Sequence, residues 1–258
     1  MLEDDPFESP KLLLARADEN LAELDQRIRA FLERKPWAHV TDQDPKTGWD
    51  RYKIRLNAKL PGGLRAVFGD AIGNLRHTLD QAVCAASAAL GVTDLKNVYF
   101  PVSDTPEGLE SVIKTRCRKV PRELLPYLRS LKPYRRPANF YWAISKLAAA
   151  NKHVMLAPML VASSGGVGIH GGARGLGVDW MPQGTWDSTK NELTVALVRP
   201  GVKPNYNLSI RLEVHLDDPG GILSGPALPL LSLMYGNVAG ALSGIEEETA
   251  RILRERGV

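Results

Sequence analysis

Residues 61–91 read PGGLRAVFGDAIGNLRHTLDQAVCAASAALG. Within them Leu64, Phe68, Ile72, Leu75, Leu79, Val83, Ala86 and Leu90 recur at steps of three and four. That spacing is one apolar face of a helix about seven turns long. Pro61-Gly62-Gly63 opens the segment and Gly91 supplies the glycine that commonly ends a helix. Small residues crowd its second half: Ala82, Cys84, Ala85, Ala86, Ser87, Ala88 and Ala89. Neighbours can approach such a surface from several sides, so the segment is expected at the centre of a helical bundle.

Outward from this helix the pattern changes with position. On the N-terminal side, residues 1–10 read as a frayed acidic tail, and Leu13, Ala17, Leu21, Leu24, Ile28 and Phe31 predict a helix from Lys11 to about Lys35, stopped by Pro36. Trp49–Leu56 alternates, with Tyr52, Ile54 and Leu56 inward and Arg51, Lys53 and Arg55 outward, the mark of a half-buried strand. On the C-terminal side, a short link carries Tyr99-Phe100-Pro101, and two short helices broken at Pro121 and Pro126 follow. A third main helix is expected from Asn139 to about Leu156, with Trp142, Leu147 and Ala150 buried. Residues 165–177 hold seven glycines and read as a surface loop. Strands are predicted at Leu176–Met181, Glu192–Arg199 and Leu208–Leu216, then a turn at Asp217–Gly221 and a last helix from Ala227 to about Arg256. In that last helix Glu247 and Arg251 are expected to pair.

This order reads as an α+β fold: a helical bundle with a small, mostly antiparallel β-sheet inserted before the C-terminal helix. We expect a single domain over 1–258. Its mainly helical part spans 11–160 with one strand near 49–56, its β-rich insertion spans 163–221, and its closing helix spans 227–256.

With 258 residues, 44% hydrophobic and 24% charged, the chain is not collagenous, disulfide-stapled or disordered. Its two cysteines, Cys84 and Cys117, fit a reducing compartment. No apolar run approaches the roughly 20 residues of a membrane span, and the acidic start is unlike a signal peptide. A cytoplasmic protein without membrane attachment is expected. Gly166 to Gly171 formally matches a dinucleotide-binding glycine motif but precedes a predicted strand instead of opening a helix. The lone cysteines and scattered His39, His170 and His215 lack metal-ligand spacing, so neither metal nor cofactor is expected.

Charge is unevenly placed. Lys114, Arg116, Arg118, Lys119, Arg122, Arg129, Lys132, Arg135 and Arg136 face a single acid, Glu123, within 114–136. The chain total is only +4, so the remainder is net negative. Tyr127 and Tyr134 are interleaved, and Phe140-Tyr141-Trp142 follows. Cations that neutralise phosphates beside aromatic faces that stack on bases point to RNA or DNA, against the plainer reading of a solvated helical surface.

The long helix also carries Asp70, Asn74, His77 and Gln81 on one face, with Arg76 and Asp80 at i,i+4 on a flank. Gly69 and Gly73 lie on that side and suggest a closely approaching neighbour. The third helix ends in Ala148-Ala149-Ala150-Asn151-Lys152-His153. Lys and His at a helix end can simply complement its dipole. Alternatively His77 and His153 form an acid–base pair, Arg76 and Lys152 bind phosphate, and Asp70, Asn74 and Asp80 orient them. That alternative requires a contact between residues 151–153 and residues 70–80.

The pieces Gly69-Asp70, Asn74-Leu75-Arg76, Leu79-Asp80, Phe100-Pro101 and Asn151-Lys152-His153 resemble a family of bacterial, often actinobacterial, and phage proteins with no assigned activity. That family's motifs read G-D-x-x-H-N-L-R-x-x-L-D-H and N-x-D-K-H-R. The match spans about two fifths of the chain. Gly73 and Gln81 replace the two histidines of the first motif, and Ala149, Asn151 and Val154 depart from the second. The helical layout is distantly similar to HEPN domains, whose members are often metal-independent ribonucleases. Their arginine-to-histidine motif is met only by Arg34 and His39, a chance match interrupted by Pro36 and Trp37. The motif resemblance supplies a grouping without an activity; with the basic stretch and the HEPN likeness, the leading expectation is a nucleic-acid-associated protein, a HEPN-like ribonuclease or an inactive relative. The alternative class is a non-enzymatic binding or assembly protein, phage-related and homo-oligomeric through the Ala-rich end of the long helix.

Overall fold

The computed structural model describes residues 5–136, 139–149, 155–169, 178–202, 204–217, 222, 223 and 225–258, with side chains outside 155–183, 204–213 and 217. In chain order its main elements are α1 (Glu8–Glu33), β1 (Trp37–Gln43), β2 (Asp50–Leu56), α2 (Gly63–Ala89), α3 (Pro106–Arg116), α4 (Leu125–Ser130), α5 (Phe140–Ala149), β3 (Met155–Ile169), β4 (Val178–Asp187), β5 (Glu192–Val198), β6 (Pro204–Asp217) and α6 (Ala227–Arg256). The fold is α+β, with an antiparallel four-stranded sheet completed before the C-terminal helix. Two compact units are present. A helical unit comprises Met1–Asp25, Arg65–Met155 and Asp217–Val258, and a sheet unit comprises Gln26–Leu64 and Leu156–Leu216.

Every residue of the apolar stripe of α2 is buried, from Leu64 to Leu90. Val67, Ala71, Ala82, Thr78 and Ser87 are buried too, so more than one face is covered. This is the central helix that its composition predicts. Gly91 ends it at φ +95°, with the amide of Val92 reaching back to the carbonyl of Ser87. In α6, Leu231, Met234, Val238, Leu242, Ile245, Thr249 and Ile252 are all buried, as their spacing requires. Its end is fixed where Arg256 donates to the carbonyl of Leu90 at 2.9 Å and pairs with Glu123. Arg251 takes Glu248 and Glu255 instead of the expected Glu247, which accepts from Ser243. By length and composition α6 is one helix that could cross a membrane, against the reading of the sequence; 33% of its most apolar stretch is buried within the protein.

Several boundaries differ from expectation. Helix α1 starts at Glu8, and Phe7 is buried instead of frayed, because Asp5 accepts the amide of Phe7 and pairs with Lys11. Pro126 opens α4 instead of breaking a helix, since proline is tolerated in a first turn. Helix α3 begins upstream of the basic stretch, capped by Thr105 accepting the amide of Gly108. Helix α5 is described over Phe140–Ala149, and Met155 and Leu156, expected at its end, belong to β3. Strand β3 also runs through Gly165, Gly166 and Gly168, which were expected in a loop. The expected turn at Asp217–Gly221 and the expected burial of Ala150 lie outside the described residues.

The sheet unit has strand order β1-β2-β5-β4 with antiparallel neighbours. Strand β1 is an addition to the sequence reading. It pairs Trp37 with Leu56 through a turn in which Asp44 accepts from Thr47, and Gly48 takes φ +70°. Phe31 of α1 packs with Ile54, Leu56, Leu193 and Val195 to form the local core. Strands β3 and β6 neighbour each other in a second sheet. In β6, Val214 and Leu216 are buried as their alternation predicts, while the side chains of Leu208, Ile210 and Leu212 lie outside the described residues.

The basic outer face expected of β2 is instead an ion-pair network. Lys53 is buried between Glu192, at 2.8 Å, and Asp42, at 2.5 Å. Arg51 sits directly across from Asp42, and Arg55 directly across from Glu192, and both pairs bond. Opposite charges at facing positions hold the register of the ladder.

Candidate functional site

The polar flank of α2 folds onto the link that follows it. Asp80 accepts the backbone amide of Phe100 at 2.9 Å and the guanidinium of Arg76 at 2.7 Å. Arg76 donates in turn to the carbonyl of Phe100 and to the hydroxyl of Ser145 on α5. Neighbouring cysteines add two weaker contacts. Cys84 Sγ donates to the carbonyl of Val98, and Cys117 Sγ to that of Tyr99. Residues 98–100 are therefore held by four side chains, three from α2 and Cys117 from the end of α3, while Tyr99 is left 48% exposed. Burial pushes the Asp80 carboxyl up from its ordinary value, with Arg76 opposing, and draws the Arg76 guanidinium down.

Beside this clamp lies a cavity of about 300 Å³ within the helical unit. Arg76, Arg116 and Lys146 supply its charge, Tyr99 its exposed aromatic, and Phe100 and Cys117 its buried apolar side. The lining includes no carboxylate. Lys146 pairs with the exposed Asp104, which also accepts the indole N–H of Trp142 at 2.7 Å. The same indole ring is approached by Arg135 at 5.4 Å and by Lys146 at 5.8 Å. The Cys117 thiol is pushed up to about 11 by burial and stays protonated near neutrality, so it is no ready nucleophile. Among the described residues no group of His, Cys, Asp and Glu could hold a metal ion.

The structure brings together only part of the predicted acid–base set. Arg76 and Asp80 meet, and the partner they reach on α5 is Ser145. Asn74 donates to the buried Asn20 at 3.0 Å and so ties α2 to α1. Asp70 and His77 are exposed. Lys152 and His153 lie outside the described residues, and so does the contact expected between 151–153 and 70–80. No close neighbour stands at Gly73 among the described residues: an added Cβ there would meet none of them within 4 Å. Such an approach occurs at Gly244, where a Cβ would fall 1.8 Å from the Tyr127 hydroxyl. Arg34 follows α1 and His39 lies exposed in β1, both in the sheet unit, whereas Arg76 and Asp80 belong to the helical unit.

Of the nine basic residues at 114–136, Arg129 pairs with Glu110, Lys119 with Asp94, and Arg118 donates to the carbonyl of Lys114. Arg118 and the other six, Lys114, Arg116, Arg122, Lys132, Arg135 and Arg136, form no ion pair among the described residues, although Lys114 lies within electrostatic reach of Glu110 and Arg135 of Asp104. Tyr99 and Lys146 were missed in the sequence. Lys146 sits ten residues beyond the basic run, and only the fold returns it to Arg116.

No protein-family model matches the chain, and neither a curated protein nor a solved structure is significantly similar to it.

Proposed function

We propose that this protein binds nucleic acid through the basic surface of its helical unit. The observation that carries the reading is that Lys146 lines one cavity with Arg116 and shares the Trp142 indole with Arg135, both arginines from the basic run. Seven cations of that run form no ion pair among the described residues, and such charges release counterions when they meet phosphates. The half-exposed Tyr99 adds a face on which an unpaired base can stack, which favours single strands. A cytoplasmic setting fits two free cysteines.

The support is for binding. Cleavage of the HEPN type would need His77 and His153 to converge on one phosphate, and His77 is exposed and does not line the cavity. The test is fluorescence anisotropy with single- and double-stranded DNA and RNA oligonucleotides. The wild type is expected to bind single strands most tightly. Replacing Arg116, Arg118, Arg135 and Arg136 together by Ala should abolish most of that affinity. Absence of binding to every oligonucleotide at low salt would contradict the reading. An assay of RNA integrity with His77→Ala alongside would reveal any cleavage.

A further inference from the structure

The cavity beside Tyr99 has a composition that a general basic surface does not explain. It is concave, its inner side is formed by Phe100 and Cys117, each 2% exposed, and charge enters it from three different helices. We propose that this cavity seats a phosphomonoester carrying a base, the phosphorylated end of a nucleic-acid chain, an inference that rests on the nucleic-acid reading above.

Charge is the first argument. Arg76, Arg116 and Lys146 line the cavity, Arg135 lies over the Trp142 indole that Lys146 also approaches, and Asp80 and Asp104 are the carboxylates bonded to Arg76 and Lys146. Two positive charges remain in surplus. An internal phosphodiester carries one negative charge, whereas a phosphomonoester carries about −1.5 to −2 at neutral pH. The doubly charged group matches the surplus.

Shape is the second argument. A strand passing through a site must enter on one side and leave on another. Here the inner side is buried, so a ligand enters and leaves the same way, as a chain end does. About 300 Å³ lies at the small end of ligand pockets and suits one terminal group.

Rigidity is the third argument. The backbone of residues 98–100 is fixed by Asp80, Arg76, Cys84 and Cys117, yet the tyrosine that it carries is half exposed. A fixed, solvent-facing aromatic loses little freedom when a base stacks on it. Arg76 is held in place by Asp80 and Ser145 before any ligand arrives, so its guanidinium needs no reorganisation to meet an anion. Lys146 is held by Asp104, 62% exposed, which a phosphate can displace, and by the face of Trp142.

The experiment compares one single-stranded sequence bearing a 5′-phosphate, a 3′-phosphate or hydroxyls at both ends, with adenosine monophosphate as competitor. At least one phosphorylated end is expected to bind about ten-fold tighter than the hydroxyl form, the scale of one added charge-assisted hydrogen bond. The ratio between the two forms should fall towards one in Tyr99→Ala and in Lys146→Met, both at exposed positions and checked for folding by circular dichroism. Asp104→Asn should raise the ratio, because it frees Lys146. Competition by the mononucleotide that removes only the end preference supports the same site. Equal affinity for all three ends overturns the cavity inference and leaves the nucleic-acid reading standing. Binding of the mononucleotide but of no oligonucleotide supports the phosphomonoester seat and overturns the chain-end assignment with the nucleic-acid reading.

Discussion

Each unit holds a covered ion pair, and the two titrate in opposite directions. In the sheet unit, hydrogen bonds from Lys53 and then Arg55 outweigh burial and hold the Glu192 carboxyl below its ordinary value. In the helical unit, burial outweighs Arg76 and lifts Asp80. The difference lies in the number of donors. Glu192 takes two cations from β2, across the ladder, and Lys53 has Asp42 as a second acceptor. Asp80 has one cation and one backbone amide, and Arg76 shares its donors with Ser145 and the carbonyl of Phe100. A saturated network stabilises a strand register. An undersupplied pair holds a shape at some cost, and it lies where the protein offers a cavity.

The largest effect should come from Glu192→Gln. It leaves Lys53, 5% exposed, with only Asp42, and should destabilise the protein by about 3 kcal/mol in urea unfolding at pH 7. Asp80→Asn should cost about 1 kcal/mol, since the amide oxygen still accepts from Phe100 and the disfavoured carboxylate is gone. Equal losses for the two variants would break the comparison.

Acid should separate the pairs further. The folded-state value of Glu192 lies below its ordinary 4.5, so its contribution is complete above 4.5 and is lost as pH falls through the lower, folded value. The folded-state value of Asp80 lies above its ordinary 3.8. Its cost is complete above that raised value and is relieved as pH falls through it towards 3.8. Urea midpoints from pH 7 to pH 3 should therefore show a shallower acid loss in Glu192→Gln than in the wild type. Asp80→Asn should be closer to the wild type at pH 7 than at pH 4.

The smallest effect sets the scale for the helical unit. Gly73→Ala should raise stability by up to ~1 kcal/mol, because the added Cβ would meet none of the described residues within 4 Å and glycine is a poor helix former. A loss on that substitution would mean that the exposed side of α2 carries a neighbour.

Where apolar periodicity is long, the sequence was legible. The stripes of α2 and α6 are buried residue for residue, and β5 and β6 lie where alternation places strands. Edge strand β1 was not, because Trp37–Gln43 is half covered at best and shows no apolar alternation. Lys53 read as an outward residue of an alternating strand, and its partner Glu192 stands 139 positions away. The clamp was legible as the i,i+4 pair Arg76 and Asp80, but its object, the backbone of Phe100, offers no side-chain signal. Gly73 and Gly244 are alike in sequence, and only the fold shows that Tyr127 leans on the second.

The central claim is that the basic run and Lys146 form one phosphate-binding surface. The measurement that tests it most directly is the slope of log affinity against log salt for a single-stranded oligonucleotide. With six phosphates engaged the slope should be near −4, at roughly 0.7 per phosphate, and Lys146→Met should lower its magnitude by a little under one. A slope near zero, or one that the Lys146 substitution leaves unchanged, would contradict the account.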